Sequence, residues 1–355
     1  MNLSKQVVLD CERMKYHNTG LYHYCLQLGL AIKRNLNKEK ETLKIYVRAP
    51  EAVDFGPGFS FIKQHHLHKF FMPFTKTADV WHCTYQGSNY FPFRKKLPVV
   101  LTIHDLNFLY DEHKSSSKQL KYLKKLGKKI KHAHHIVTIS NFVLEDVKKH
   151  FDVKNKSCSV IYNGCNISDM VIEDLPETQK PSAPFLYTIG TVIDKKNFHV
   201  LPPLLVNNKK LLFISGIIQS EKYKEKIIDI AKKHQVEDRV IFTGPVTENE
   251  KYWYMQNCEA FLFPSLAEGF GLPVIEAMYF GKPVILSTHT SLPEIGGNEA
   301  YYFKNFEPES MRQILEDSLE HYTATSAADK IKSRAAVFNW DKAANEYLAV
   351  YRKLY

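Results

Sequence analysis

The chain has 355 residues, 44% apolar and 24% charged, with a net charge of +10, enough length for two α/β domains that each bury a core. No apolar run approaches the roughly 20 residues of a membrane-spanning helix. The start, Met1-Asn2-Leu3-Ser4-Lys5, runs into a strand without a signal-peptide pattern, and the six cysteines form no CxxC pair. A disulfide or zinc framework is therefore not expected, and a cytoplasmic protein with reduced thiols is.

In chain order, Gln6 to Asp10 reads as a short buried strand, and His17-Asn18-Thr19-Gly20 leads into a periodic helix from about Leu21 to Arg34. Further strands are expected at Lys44 to Arg48, Val80 to Cys83, Val99 to Ile103, Ile136 to Ile139 and Ser159 to Tyr162. The histidines His65, His66, His68, His132, His134 and His135 read as surface features, because no carboxylate or cysteine accompanies them at ligand spacing. Strands separated by helical patterns argue for a parallel sheet covered on both faces. Ligands of such sheets bind beyond the carboxyl ends of the strands, which singles out Gly20, His104-Asp105, Ser140-Asn141 and Asn163-Gly164. His104, at the end of the best strand, is the leading candidate, weighed against a satisfied core histidine. Ser140 reads as a helix N-cap. The first loop lacks the GxGxxG fingerprint, which weakens a dinucleotide-dehydrogenase reading.

Between Lys118 and His135 lie seven lysines and three histidines with no acid, and Leu120, Leu123, Leu126 and Ile130 form an apolar stripe. Such a helix is either a solvated face or a surface for an anionic membrane or polymer. No nucleic-acid recognition motif accompanies the charge, so nucleic acid is not an expected partner. From Ser168 to Pro184 the periodicity lapses and three prolines appear, as in a linker. The expected organisation is a first domain at 1–168, a linker at 169–184, a second domain at 185–335 and a C-terminal helix at 336–355, inside an amphipathic pattern running from Ser333 to Tyr355.

The second half repeats the architecture. Strands at Phe185 to Ile189, Leu211 to Ile214, Val240 to Thr243, Ala260 to Phe263 and Val284 to Leu286 end at Gly190, Gly216, Gly244, Pro264-Ser265 and Ser287, with helices at Lys222 to His234 and Glu248 to Asn257. Small residues at strand exits leave room for a ligand. After Gly190 come Thr191, Lys195 and Lys196, ordinary turn charges or cations for a phosphate. After Phe263 comes a loop holding Glu268 before Gly269-Phe270-Gly271, then Leu272, a helix opening at Pro273 and a stop at Gly281. A glycine loop running into a helix start suits a phosphate. Glu268 and Glu276 frame it with seven residues between them, and carboxylates, accepting hydrogen bonds in pairs, suit sugar hydroxyls.

The segment Pro264-Ser265, Glu268 to Pro273, Glu276-Ala277-Met278, Gly281 and Pro283-Val284 resembles the E-x7-E signature of the retaining glycosyltransferase family 4 of bacterial surface-polysaccharide synthesis. The resemblance implies an α/β GT-B fold, two Rossmann-like domains facing a central cleft, with the C-terminal helix crossing back to the first domain. It implies transfer of a hexose from a nucleotide sugar to a hydroxyl of a glycan or lipid-linked oligosaccharide acceptor in lipopolysaccharide, O-antigen or capsule synthesis. Mannose from GDP-mannose is the donor named. Carried over residue by residue, Glu268 contacts the donor sugar and Glu276 the ribose. His104, in Thr102-Ile103-His104-Asp105-Leu106, contacts the sugar, and Asn18-Thr19-Gly20 lies by the diphosphate and acceptor. Lys196 neutralises the departing diphosphate, and Lys195 substitutes for an Arg that many members carry where this chain has Thr191. The stretch Phe242 to Val246 borders the base.

The expected catalytic set is thus His104, Lys196 and Glu268, and the donor set Gly20, Gly190, Thr191, Lys195, Val246, Gly269, Phe270, Gly271, Leu272 and Glu276. The chain contains no D-x-D pair, so lysines and a helix start, with no metal or other cofactor, are expected to stabilise the leaving group. Localisation is expected to be cytoplasmic, with an anionic membrane surface at its inner face as a candidate partner. The alternatives are a GT-B phosphorylase or epimerase, and a non-catalytic basic module binding membrane or nucleic acid.

Overall fold

The structure, a computed structural model, describes residues 4–17, 19–72, 76–93, 96–110, 114–167 and 172–355. It divides into two compact units, Met1–Asn166 with Phe338–Tyr355, and Ile167–Val337.

In the first unit the order is β1 (Lys5–Asp10), α1 (Gly20–Asn35), β2 (Glu41–Val47), β3 (Ser60–Lys63), β4 (Val80–Cys83), β5 (Val99–Ile103), α2 (Ser116–His132), β6 (His135–Thr138), α3 (Asn141–His150) and β7 (Ser157–Val160). The described strands form one parallel sheet in the order β3-β2-β1-β4-β5-β6-β7. Central β5, Val-Val-Leu-Thr-Ile, is buried at every residue, as a strand covered on both faces requires. The sequence reading has no strand at β3 and sets β7 two residues late. Both lie at the sheet edges and are half exposed, so no continuous apolar run marks them.

Helix α2 is shorter than its basic run. His135 leaves it to open β6 as a buried residue whose Nε2 pairs with Ser159 Oγ at 2.9 Å, which corrects its reading as a surface histidine. Lys129 turns inward, and its ammonium donates to the carbonyls of Gln86, at 2.7 Å, and Ser88. Ser140 caps α3, its hydroxyl accepting from Val143 N at 3.2 Å.

The second unit runs β8 (Phe185–Ile189), β9 (Leu211–Ser215), α4 (Glu221–Lys233), β10 (Val240–Gly244), α5 (Glu248–Asn257), β11 (Ala260–Phe263), α6 (Leu272–Tyr279), β12 (Val284–Ser287), α7 (Leu292–Gly296), β13 (Tyr301–Phe303), α8 (Pro308–Thr325) and α9 (Ala328–Ala336). Its described strands form a parallel sheet in the order β10-β9-β8-β11-β12-β13. The segment read as a linker lies partly outside the described residues, at 168–171. Its described part is fastened to α5, where Asn249 Oδ1 accepts from Glu173 N at 2.8 Å and Trp253 Nε1 donates to Asp174 at 2.7 Å.

The single amphipathic helix expected from Ser333 to Tyr355 is two helices, α9 and α10 (Trp340–Arg352). Asn339 makes the break, its side chain accepting from the amides of Asp341 and Lys342 at 2.8 and 3.1 Å, an N-cap that starts a new helix. Helix α10 belongs to the first unit and packs on α1. A buried polar network fixes it. Tyr347 OH is 2.7 Å from Tyr24 OH, and Tyr351 OH is 2.7 Å from Nδ1 of His82, which burial pushes down to a pKa of about 3. Gly164, a candidate ligand-loop glycine, instead admits this helix, because a Cβ there would lie 2.4 Å from Trp340 N. Among the described residues no helix is long and apolar enough to cross a membrane.

Candidate active site

Strands β10, β9, β8 and β11 are consecutive in the second sheet, so their carboxyl ends form one edge. Gly190, Gly216 and Gly244 occupy the first three exits with φ of +156°, +130° and +72°. A Cβ on Gly216 would lie 2.1 Å from Gly190 O, and Gly216 N donates to Gly244 O at 2.8 Å. Backbone is packed on backbone there, and only glycine fits. Thr191 follows Gly190 half-buried, and Val246, also half-buried, precedes Thr247, the N-cap of α5.

Lys195 and Lys196 lie in a single 3-10 turn after β8, closed by Asn197 in the left-handed region at φ 58°. The Lys195 carbonyl accepts from Leu266 N at 2.8 Å and Ser265 Oγ at 3.2 Å, which ties this turn to the loop after neighbouring β11. That tie brings two predicted catalytic residues together. Lys196 Nζ is 2.5 Å from Glu268 Oε1, the two side chains being 13% and 14% exposed. The ammonium also lies 4.9 Å from the Phe263 ring centroid, and a Cβ on Gly190 would press on Lys196 Cε at 3.1 Å. Burial pushes the Glu268 carboxyl up, but Lys196, Lys195 and the Ser265 hydroxyl, 2.7 Å away, outweigh it and hold the group below its ordinary value. It is a carboxylate at neutral pH.

The glycine loop is clamped by residues that sequence reasoning missed. Thr290 Oγ1 accepts from Glu268 N at 3.0 Å, and Ser291 Oγ donates to the carbonyls of Glu268 and Phe270 at 3.0 and 3.2 Å. Gly269 and Phe270 are buried, and Gly271, at φ +105°, is the N-cap of α6 and has no side chain with which to cap it. The helix opens at half-buried Leu272, one residue before the expected Pro273. Its first turn presents the positive end of the helix dipole, with Val274 N donating to Gly271 O at 2.9 Å and Pro273 carrying no N–H.

Glu276, the second carboxylate of the loop, meets a lysine of a neighbouring helix. It is 2% exposed, with Oε1 3.3 Å from Lys251 Nζ, which is also 3.0 Å from Glu248. Burial pulls the Lys251 pKa down, but Glu276 and Glu248 more than offset it and raise it above the ordinary value, so the pair is ionic. Sequence reasoning named no partner for Glu276. The Thr247 to Glu250 capping box sets where α5 begins, but a lysine on its inward side carries no signal of its own.

His104 and Gly20 belong to the first unit. His104 lies at the exit of β5 and is buried, with Nε2 2.7 Å from the Thr84 carbonyl and its backbone N donating to Gln86 Oε1 at 3.1 Å. A carbonyl only accepts, so Nε2 carries the proton and Nδ1 is the acceptor nitrogen. Burial pushes the pKa down to about 4, which keeps the ring neutral. The ring meets Tyr24 edge-on at 4.6 Å. Gly20, exposed, is the first residue of α1, whose N-cap Thr19 accepts from Tyr22 N; Asn18 lies outside the described residues.

Comparison with known proteins gives the family and the fold. Residues 172–336 match the model for glycosyl transferases group 1 and residues 30–169 that for glycosyltransferase family 4. The chain is 24% identical to O-antigen chain mannosyltransferase B of Escherichia coli, over 98% of this chain and 100% of that protein. It is 26% identical to the O-antigen chain mannosyltransferase RfbU of Salmonella typhimurium, over 70% of this chain and 69% of that protein. The sucrose-phosphate synthase of Thermosynechococcus elongatus superposes with a TM-score of 0.75 at 18% identity, over 99% of each chain. The fold is GT-B, and with the two models spanning most of its length, the chain belongs to the glycosyltransferases of group 1 and family 4.

Proposed function

We propose that the chain is a retaining, metal-independent hexosyltransferase that moves mannose from GDP-mannose to a hydroxyl of a glycan or lipid-linked acceptor in O-antigen assembly. It would work in the cytoplasm, at the inner face of the membrane. Two relatives bear the name O-antigen chain mannosyltransferase, which supports the sugar and the setting. The observation that carries the reaction is the Lys196–Glu268 pair, set at glycine-walled strand ends beside the start of α6. The donor diphosphate lies along Gly190 and the first turn of α6, and Lys196 and Lys195 offset the charge that builds on it as the C1–O bond breaks. Glu268 stays ionised and accepts from donor sugar hydroxyls. The acceptor oxygen bonds to C1 on the face the diphosphate leaves, and its proton passes to the departing phosphate oxygen. His104 Nδ1 accepts from a sugar hydroxyl, and Glu276, steadied by Lys251, from the ribose.

The test is turnover with UDP-, GDP-, ADP- and CMP-sugars and a lipid-linked glycan, with and without EDTA, followed by NMR of the product anomer. GDP-mannose turnover that survives EDTA and retains the α configuration is expected. An inverted product or loss of turnover in EDTA would refute the mechanism. Dependence on inorganic phosphate, or turnover without acceptor, would move the chain to the phosphorylases or epimerases.

A further inference from the structure

Six of the lysines on α2 are not part of the site: Lys118, Lys121, Lys124, Lys125, Lys128 and Lys131 are exposed, while Leu126, Lys129 and Ile130 face the core. At 3.6 residues per turn, Lys118, Lys121, Lys125 and Lys128 fall within a sector of roughly 80°. The helix contains no acid to offset them. Two apolar side chains stand among these lysines rather than beneath them. Leu120, 51% exposed, shares a shallow recess with Lys121, Lys124 and Lys125. Phe93, 45% exposed, shares another with Lys128 and Lys131, its ring 5.6 Å from that of His132.

A face that only keeps a protein in solution needs neither a single sign of charge nor exposed Leu and Phe. A charged bilayer uses both, headgroup phosphates meeting the ammonium groups and the acyl boundary taking the apolar side chains. We propose that this face of α2, with Phe93, docks on an anionic lipid surface. The lysines supply the attraction, and Leu120 and Phe93 supply the insertion that a phosphate polymer would not reward. This inference is independent of the transferase reading.

The whole chain is sedimented with phosphatidylcholine vesicles that contain or lack phosphatidylglycerol, beside a K121Q/K125Q/K128Q variant and an L120Q/F93Q variant. Binding should require phosphatidylglycerol and fall about fivefold per neutralised lysine, roughly a hundredfold for the triple variant. The L120Q/F93Q variant should lose the part of binding that survives high salt, where charge attraction is screened. Far-ultraviolet circular dichroism and the urea unfolding midpoint should stay at the parent level in both variants, which serves as the folding control. Partition that ignores phosphatidylglycerol, or a triple variant that binds like the parent, overturns the proposal. So does a parent chain that leaves vesicles alone but is retained by a single-stranded oligonucleotide.

Discussion

Replacing Lys196 with Met removes the ammonium and keeps a flexible apolar side chain against Phe263. Glu268 is left with its side chain 14% exposed, held by the Ser265 hydroxyl at 2.7 Å and the field of Lys195. Removing one partner of a buried ion pair costs about 3–5 kcal/mol. This pair keeps some access to water, so a loss of roughly 2–3 kcal/mol is expected at neutral pH. The pH dependence carries the sign. Glu268 is held below its ordinary value of 4.5 in the parent, so its contribution is complete above that value and is lost as pH falls through the lowered one. In the variant, burial acts with less opposition and the folded pKa rises, so protonation on acidification relieves the buried charge. The stability gap between parent and Lys196→Met should therefore be widest at neutral pH and narrow toward pH 4.5 or about that value. Urea unfolding at several pH values measures it. Turnover of the folded variant should fall about 10²–10³-fold, the scale of one lost electrostatic contact in a transition state. A folded variant with parental turnover and a pH-independent stability difference would refute both the pairing and its role.

Two further outcomes follow from the same electrostatics. Lys251→Met leaves Glu276, 2% exposed, without its ammonium and should lose about 3–5 kcal/mol in urea unfolding, whereas adding Glu276→Leu should recover most of that loss while weakening donor binding in calorimetry. Because burial holds His104 near a pKa of 4, kcat/KM of the parent should show no step from this residue between about pH 5.5 and 7.5; a step in that range that His104→Gln abolishes would contradict a neutral imidazole.

The parallel core was legible because strands buried on both faces write themselves as unbroken apolar runs. Val80–Cys83, Val99–Ile103, Phe185–Ile189 and Ala260–Phe263 have the bounds that pattern predicts. Edge strand β3, which faces water, writes no such run. The end of the chain misled for a different reason. The amphipathic period continues through Val337 to Asn339, but the Asn339 side chain satisfies the amides of a fresh helix, and a periodicity count does not register a cap.

The two carboxylates of the glycine loop separate what spacing can and cannot reveal. Glu268 was legible with Lys196 because each follows a strand exit, and adjacency of β8 and β11 in the sheet then brings the two loops together through the Lys195 carbonyl. Glu276 sits only eight positions on, in a helix whose residues from Val274 to Met278 are all buried. A carboxylate there needs a cation from outside its own helix, and it comes from Lys251 on α5, 25 positions earlier in the chain. Sequence distance therefore gives the order of residues along the loop, while the cation that holds a buried carboxylate is set by which helix packs behind it.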